Sequence, residues 1–398
     1  MADLYPMSDN IQAHIIAPQE NLDLPIFKLI QMGNSLLSGE ISDIEEKLDG
    51  QNITFTVING QLQFFNKGLS PRRLSKAISG EQPGTRLCDM NKYSNAGLRE
   101  TFEYVYKEID SVLQLNVGLT ERVFKNGRFV IESSVMGNKN KNTVTYDKKY
   151  FRLIQYISMY GDKPNYFDFS NLSRILSQNR GLDIGNVPIL KYKEAKPLHD
   201  FAGDILHLIK VHGLTPTNTV GDVIQSLTQA YLRQYTHIPI GIEFDAARRL
   251  SRQNKSALSH RSFSNKDDWK KFQELESRNT FLQAAIVPLE EILQRLAYDV
   301  FNNYKFELSN NVDSSSHNVK DNILRIIDAS NNNNINASNK TKLRIKDTIK
   351  RLAQLDLYEK DVEGIVFEYE NQKYKLTGLF TPINKLLGYF HYEDAEIG

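Results

Sequence analysis

At 398 residues the chain is long enough for two, at most three, domains with a real hydrophobic core. Its 40% hydrophobic and 24% charged content is ordinary for a water-soluble protein, and a net charge of +1 excludes a global cationic footprint, so any nucleic-acid surface has to be local. One cysteine, Cys88, excludes an internal disulfide and suits a reducing cytosol. In chain order, residues 25–38 (PIFKLIQMGNSLLS) predict a short amphipathic helix. EEKLDGQN follows at 45–52, where Lys47 stands beside Asp49-Gly50, a dipeptide suited to a tight turn with φ > 0. Residues 53–65 (ITFTVINGQLQFF) flank Asn59-Gly60 with β-rich sequence and predict a hairpin, with NKG (66–68) at its far end. A helix is expected over roughly 95–115, because Leu98, Phe102, Val105, Ile109 and Val112 form an apolar stripe. GRFVIESSV (127–135) and YFRLIQYISMYG (150–161) read as strands, so the first half predicts a mixed sheet with helices packed on it.

The pattern changes after about 195. Segments 197–211, 220–235, 266–304, 318–329 and 340–357 carry helical periodicity. In 266–304 the apolar residues Trp269, Phe272, Leu275, Leu282, Ile286, Leu289, Leu293, Leu296 and Val300 recur at threes and fours, with Pro288 expected to start or kink a helix. NNNNINASN (331–339) reads as a mobile polar loop. EGIVFEYENQKYKLTGLF (363–380) returns to strand and predicts a hairpin turning at Glu-Asn-Gln. The resulting expectation is α+β: a sheet core of residues 1–195 and 358–398, completed by C-terminal strands, with a mainly helical module inserted at 196–357. No stretch approaches bilayer-spanning length, and MADLYPMSDN lacks the basic segment and apolar core of a signal peptide, so a cytoplasmic protein with no membrane partner is expected.

Four short pieces belong together: EKLDG (46–50), NKG (66–68), FVIE (129–132) and EGIVFEY with KYK (363–375). Singly, each has an ordinary explanation as a turn, a hairpin edge or a solvated strand face. In this order they resemble the nucleotidyltransferase core of ATP-dependent RNA and DNA ligases and capping enzymes. More narrowly, EEKLDGQNITF, FFNKG, TVTY (143–146) and YKLTGLFTPINKLLG look like a ligase-like group of tailed-phage proteins. The likeness covers roughly residues 25–160 and 360–390 and leaves the helical middle unexplained. It departs from the ligase pattern in having Lys67 where Arg is frequent, a short hairpin from Glu363 to Lys373, and ESSV after the strand bearing Glu132.

The resemblance implies a fold, a substrate and roles. Lys47 would attack the α-phosphorus of ATP to form lysyl-AMP, pass the AMP to a 5′-phosphate end, and allow a 3′-hydroxyl to displace it. RNA ends are preferred over DNA, and the host cytoplasm is the expected location for a phage protein. Such a lysine must be uncharged, which nearby cations and a divalent metal favour and a carboxylate opposes. Lys67, Lys373 and Lys375 would supply the cations and hold the triphosphate, and Mg²⁺ would offset charge on the departing pyrophosphate. Glu132 and Glu363 would position Mg²⁺ or the ribose, since hard cations prefer oxygen ligands. Asp49 would contact the nucleotide or fix the turn, Gly50 would allow close backbone approach, and Glu46 would lie against the adenine.

Two alternatives stand beside this expectation: a binding or virion-associated protein that keeps the fold without turnover, and transfer of AMP to a protein or small molecule. The Walker phosphate loop, Gly-x-Gly-x-x-Gly, His-Glu-x-x-His and Cys-x-x-Cys patterns are all missing from the sequence. His207 and His212 are poorly phased to share a metal and read as capping or packing residues. Arg248, Arg249, Arg252, Lys255 and Arg261, and separately Lys340, Lys342, Arg344, Lys346, Lys350 and Arg351, form basic stretches suited either to nucleic-acid phosphates or to solvated helix faces.

Overall fold

A computed structural model of the protein describes residues 15–66, 96–137, 144, 146–194, 196–232, 285–308, 319–353, 362–392 and 395–397. Lys67, Cys88, the basic stretch 247–261 and residues 266–284 of the long apolar repeat lie outside the described residues. The first elements are α1 (Ile26–Ser38), β1 (Glu45–Lys47), β2 (Gln51–Ile58), β3 (Gln61–Asn66), α2 (Ala96–Leu115) and α3 (Val117–Phe124). They are followed by β4 (Phe129–Met136), β5 (Tyr150–Ser158), α4 (Tyr166–Leu176), β6 (Asp183–Asn186), β7 (Lys191–Tyr192), α5 (Phe201–Val211) and α6 (Val220–Leu232). Next come α7 (Val287–Asn303), β8 (Tyr304–Lys305), α8 (Val319–Asn331), β9 (Ile335–Asn336) and α9 (Asn339–Ala353). The last are β10 (Gly364–Tyr369), β11 (Gln372–Leu376), α10 (Phe380–Tyr392) and β12 (Glu396–Ile397). The chain is α+β, with antiparallel and mixed sheets.

These elements form two compact units, one built mainly from Leu48–Ile189 and the other from Ile15–Lys47, Leu190–Phe306 and His317–Gly398. The expected core of 1–195 with 358–398 is thereby shared between them. The chain passes from one unit to the other at the bond after Lys47.

The first unit holds a five-stranded sheet in the order β3-β2-β4-β5-β6, antiparallel except for the parallel β5–β6 edge. Its hairpin forms at Asn59-Gly60 because both residues take positive φ, 52° and 73°, the geometry whose twist matches paired strands. Alternation sends Ile53, Phe55 and Val57 of β2 to one face, where Phe102, Val105 and Ile109 of α2 and Leu172 of α4 cover them. Phe55 contacts the rings of Phe64, Phe124 and Phe151 there. The opposite face carries the buried polar residues Thr54, Thr56, Gln63 and Glu132.

The second unit holds a three-stranded antiparallel sheet, β1-β10-β11. The expected single sheet is therefore corrected: the C-terminal hairpin pairs with Glu45–Lys47 and not with any strand of the five-stranded sheet. Ile365, Phe367, Tyr374 and Leu376 pack on α1, α5, α6 and α7 in one core. Pro288 opens α7, where a missing N–H costs nothing. The helices α8, α9 and α10 close a second core through Ile323, Ile345, Leu352 and Leu386. Two expectations fail here. The Asn-rich run 331–339 is not a plain mobile loop: Ile335 is buried and forms β9, paired with β12. The strand reading to residue 380 also stops early, because β11 ends at Leu376, Gly378 turns with φ 49°, and α10 begins at Phe380.

Candidate functional site

Two residues 316 positions apart meet on the second unit's sheet: the Lys47 Nζ donates to Glu363 Oε1. Strand register explains the meeting, since Lys47 sits opposite Gly364, Glu46 opposite Ile365 and Glu45 opposite Val366. Gly364 is required at this crossing. Its φ is +144°, and a Cβ there would overlap the Leu376 carbonyl oxygen. On the far side of β10, Val366 pairs with Lys375 and Glu368 with Lys373. With a two-residue period, Glu45, Lys47, Val366, Glu368, Lys373 and Lys375 therefore share one face. The edge of β11 is partly covered, because the Lys375 N–H donates to the Ile16 carbonyl at 2.9 Å.

The pair is sheltered: the Lys47 side chain is 23% exposed and that of Glu363 11%. Burial pushes the Glu363 carboxyl above the ordinary range, while Lys47 and Lys375 pull it back down. Its second oxygen, Oε2, is buried and has no hydrogen-bond partner among the described residues. Glu45 is raised by burial and lowered by Lys373, so acids and bases alternate across this face. Glu45 was not singled out from sequence. The only available hint was its two-residue offset from Lys47.

The other expected residues lie elsewhere. Glu46 is 1% exposed and projects from the opposite face, the side of Ile365 and Phe367, away from Lys47. Asp49 and Gly50 belong to the first unit. Asp49 fixes a chain crossing there: Oδ2 accepts the Val144 N–H at 2.7 Å, and its own N–H donates to Tyr146 Oη at 3.0 Å. The expected positive-φ turn at Asp49-Gly50 does not occur, since neither residue is left-handed. Gly50 serves close approach instead, because a Cβ would collide with Ser134 Oγ and come within 2.9 Å of the Val135 carbonyl oxygen. Glu132 is buried in mid-sheet between Thr54 and Gln155, at a bulge before Ser133. Tyr146, fully buried, is the partner that sequence reasoning missed, although TVTY had marked the segment.

Among the described residues no cluster of three or more His, Cys, Asp or Glu side chains could hold a metal ion. His212 caps α5 and meets Ser226 Oγ at 2.9 Å, as a packing histidine does. No helix of the described residues is long and apolar enough to cross a membrane. The sequence matches no protein-family model, and no curated protein sequence is similar to it.

Proposed function

We propose that the protein is a covalent nucleotidyltransferase of RNA-ligase type, with Lys47 as its nucleophile. The observation that carries this reading is the meeting of Lys47 with Glu363 on a sheet face that also bears Lys373 and Lys375. In the reaction, Lys47 Nζ loses a proton and forms a bond to the α-phosphorus of ATP, while the bond from that phosphorus to the pyrophosphate oxygen breaks. A 5′-phosphate oxygen then displaces the lysine, and a 3′-hydroxyl finally displaces AMP. Glu363 Oε1 holds the Nζ in place. A carboxylate beside a lysine opposes the uncharged amine, but burial raises this carboxyl's own proton affinity and so suits it to take the proton. Lys373 and Lys375 lie where cations can hold phosphate oxygens and offset the charge that develops on the leaving group.

Mg²⁺ fits this site in a limited sense. It commonly takes one or two carboxylates and otherwise phosphate oxygens and water, and Glu363 Oε2 is a buried acidic oxygen lacking a partner among the described residues. When bound, the ion would neutralise phosphate charge.

Nucleotide-free protein incubated with α-labelled ATP and Mg²⁺ should acquire label that acid releases and alkali does not, as a phosphorus–nitrogen bond requires. Lys47→Ala should abolish it. Subsequent addition of 5′-phosphorylated RNA or DNA should move the label to the strand end, preferentially RNA. Wild-type protein that takes no label from ATP or GTP overturns the reading and leaves a nucleotide-binding protein without turnover. Label that moves to a protein or small molecule but never to a strand end places the acceptor outside nucleic acid.

A further inference from the structure

Helix α9 has the sequence NKTKLRIKDTIKRLA, six cations and one acid in 15 residues, in a chain whose net charge is +1. Its inward side is fixed: Thr341, Ile345, Thr348, Ile349 and Leu352 are buried, and the apolar ones join the core shared with α8 and α10. That burial confines every cation to the remaining arc, which holds Lys342, Arg344, Lys346 and Lys350 together with the backbone positions of Lys340 and Arg351. Lys342, Lys346 and Lys350 follow one another four residues apart, so they form a row rising about 6 Å per step.

This row opposes helix stability. Like charges at i and i+4 repel by roughly 0.2–0.5 kcal/mol per pair, and among the described residues none of the three lysines is paired with a carboxylate. Lys346 Nζ donates only to the Asn333 amide oxygen among the described residues, at 3.5 Å. Lys28, Arg122, Arg128, Lys148, Arg152 and Arg295, by contrast, sit in ion pairs. A merely solvated face gains nothing from an unrelieved row of this kind, whereas a polyanion would turn the repulsion into attraction. A membrane surface is the poorer match, because the apolar side of α9 is already buried and Leu343, 64% exposed, is the large hydrophobic residue left on the solvent arc.

We infer that the solvent face of α9 binds the phosphate backbone of a single-stranded polynucleotide, with Lys342, Lys346 and Lys350 on successive phosphates. The choice of a polynucleotide over other polyanions rests on the transferase reading above; the existence of the anion surface does not. Contacts of this kind release counterions, so affinity falls with salt at a slope of about −0.7 per phosphate on a log–log scale for single strands.

The test is fluorescence anisotropy of a labelled 5′-phosphorylated RNA strand, titrated with the full chain across a salt series and without ATP. The variant is Lys342→Gln/Lys346→Gln/Lys350→Gln, which keeps helix propensity. Its control is Lys107→Gln/Lys196→Gln/Lys210→Gln, an equal charge change at exposed sites elsewhere. The α9 variant should lose at least about tenfold in affinity at low salt and flatten the slope by about 2, while the control keeps the wild-type slope. Circular dichroism checks that the variant is folded. Unchanged affinity and slope in the α9 variant, equal losses in variant and control, or preferential binding of the wild type to phosphatidylserine vesicles would each overturn the inference. Because the assay contains no nucleotide, a wild type that takes no label from ATP yet binds RNA through α9 defeats only the transferase reading.

Discussion

Replacing Lys47 with Met leaves the Glu363 carboxylate sheltered without its cation, and the size of the penalty depends on pH in a way the structure specifies. At neutral pH, breaking a buried pair from one side costs about 3–5 kcal/mol. The 23% exposure of the Lys47 side chain and the nearby Lys375 place this pair at the lower end, about 3 kcal/mol. Burial raises the Glu363 carboxyl in the folded chain above its ordinary 4.5. The folded state therefore keeps a proton that the unfolded state releases, so stability is fully present below 4.5 and falls as pH rises through the folded-state value. Removing Lys47 takes away the largest opposing influence, extends that window upward and steepens the loss at neutral pH. Urea unfolding of Lys47→Met should show the full loss at pH 7, shrinking to under about 1 kcal/mol at about pH 3, well below 4.5, where the carboxyl is protonated in both states. Adding Glu363→Gln should recover about 2 kcal/mol at pH 7 by removing the stranded charge. A penalty below about 0.5 kcal/mol at pH 7, or one equal at both pH values, would refute the reasoning.

Three further outcomes are expected. Gly50→Ala should lower stability by roughly 2 kcal/mol in urea, because Ser134 Oγ can rotate away but the Val135 carbonyl cannot. Asp49→Ala should cost about 1–3 kcal/mol by stranding the buried Val144 N–H, while Asp49→Asn, which keeps an acceptor oxygen, retains most of the stability in the same assay. Asn371→Gly should raise the thermal midpoint slightly, a gain of about 0.5–1 kcal/mol, because Asn371 sits at φ 62° in the β10–β11 turn where glycine bears no Cβ penalty.

Local patterns carried much of the fold. Asn59-Gly60 specified its hairpin, the stripe Phe102–Val105–Ile109 specified the buried face of α2, and Pro288 marked the start of α7. Each depends on contacts within a few residues, which sequence displays directly. The helix after Gly378 was hidden because KLTGLF reads as strand continuation until Gly378 turns the chain. The Asn-rich run concealed β9 because a lone Ile335 carries no periodicity, and its partner strand lies some sixty residues away.

The site divides along the same line. Sequence alone determined which chemistry was available: Lys47 beside Asp49-Gly50, a Glu363-Gly364 strand, and lysines alternating at 373 and 375. Only the tertiary structure decided which of these meet. The β1–β10 register brings Lys47 to Glu363, turns Glu46 to the opposite face, and leaves Asp49 to bind the 144–146 segment. Pairing between distant strands sets that geometry, and a one-residue shift of register would have reversed every side chain on β1.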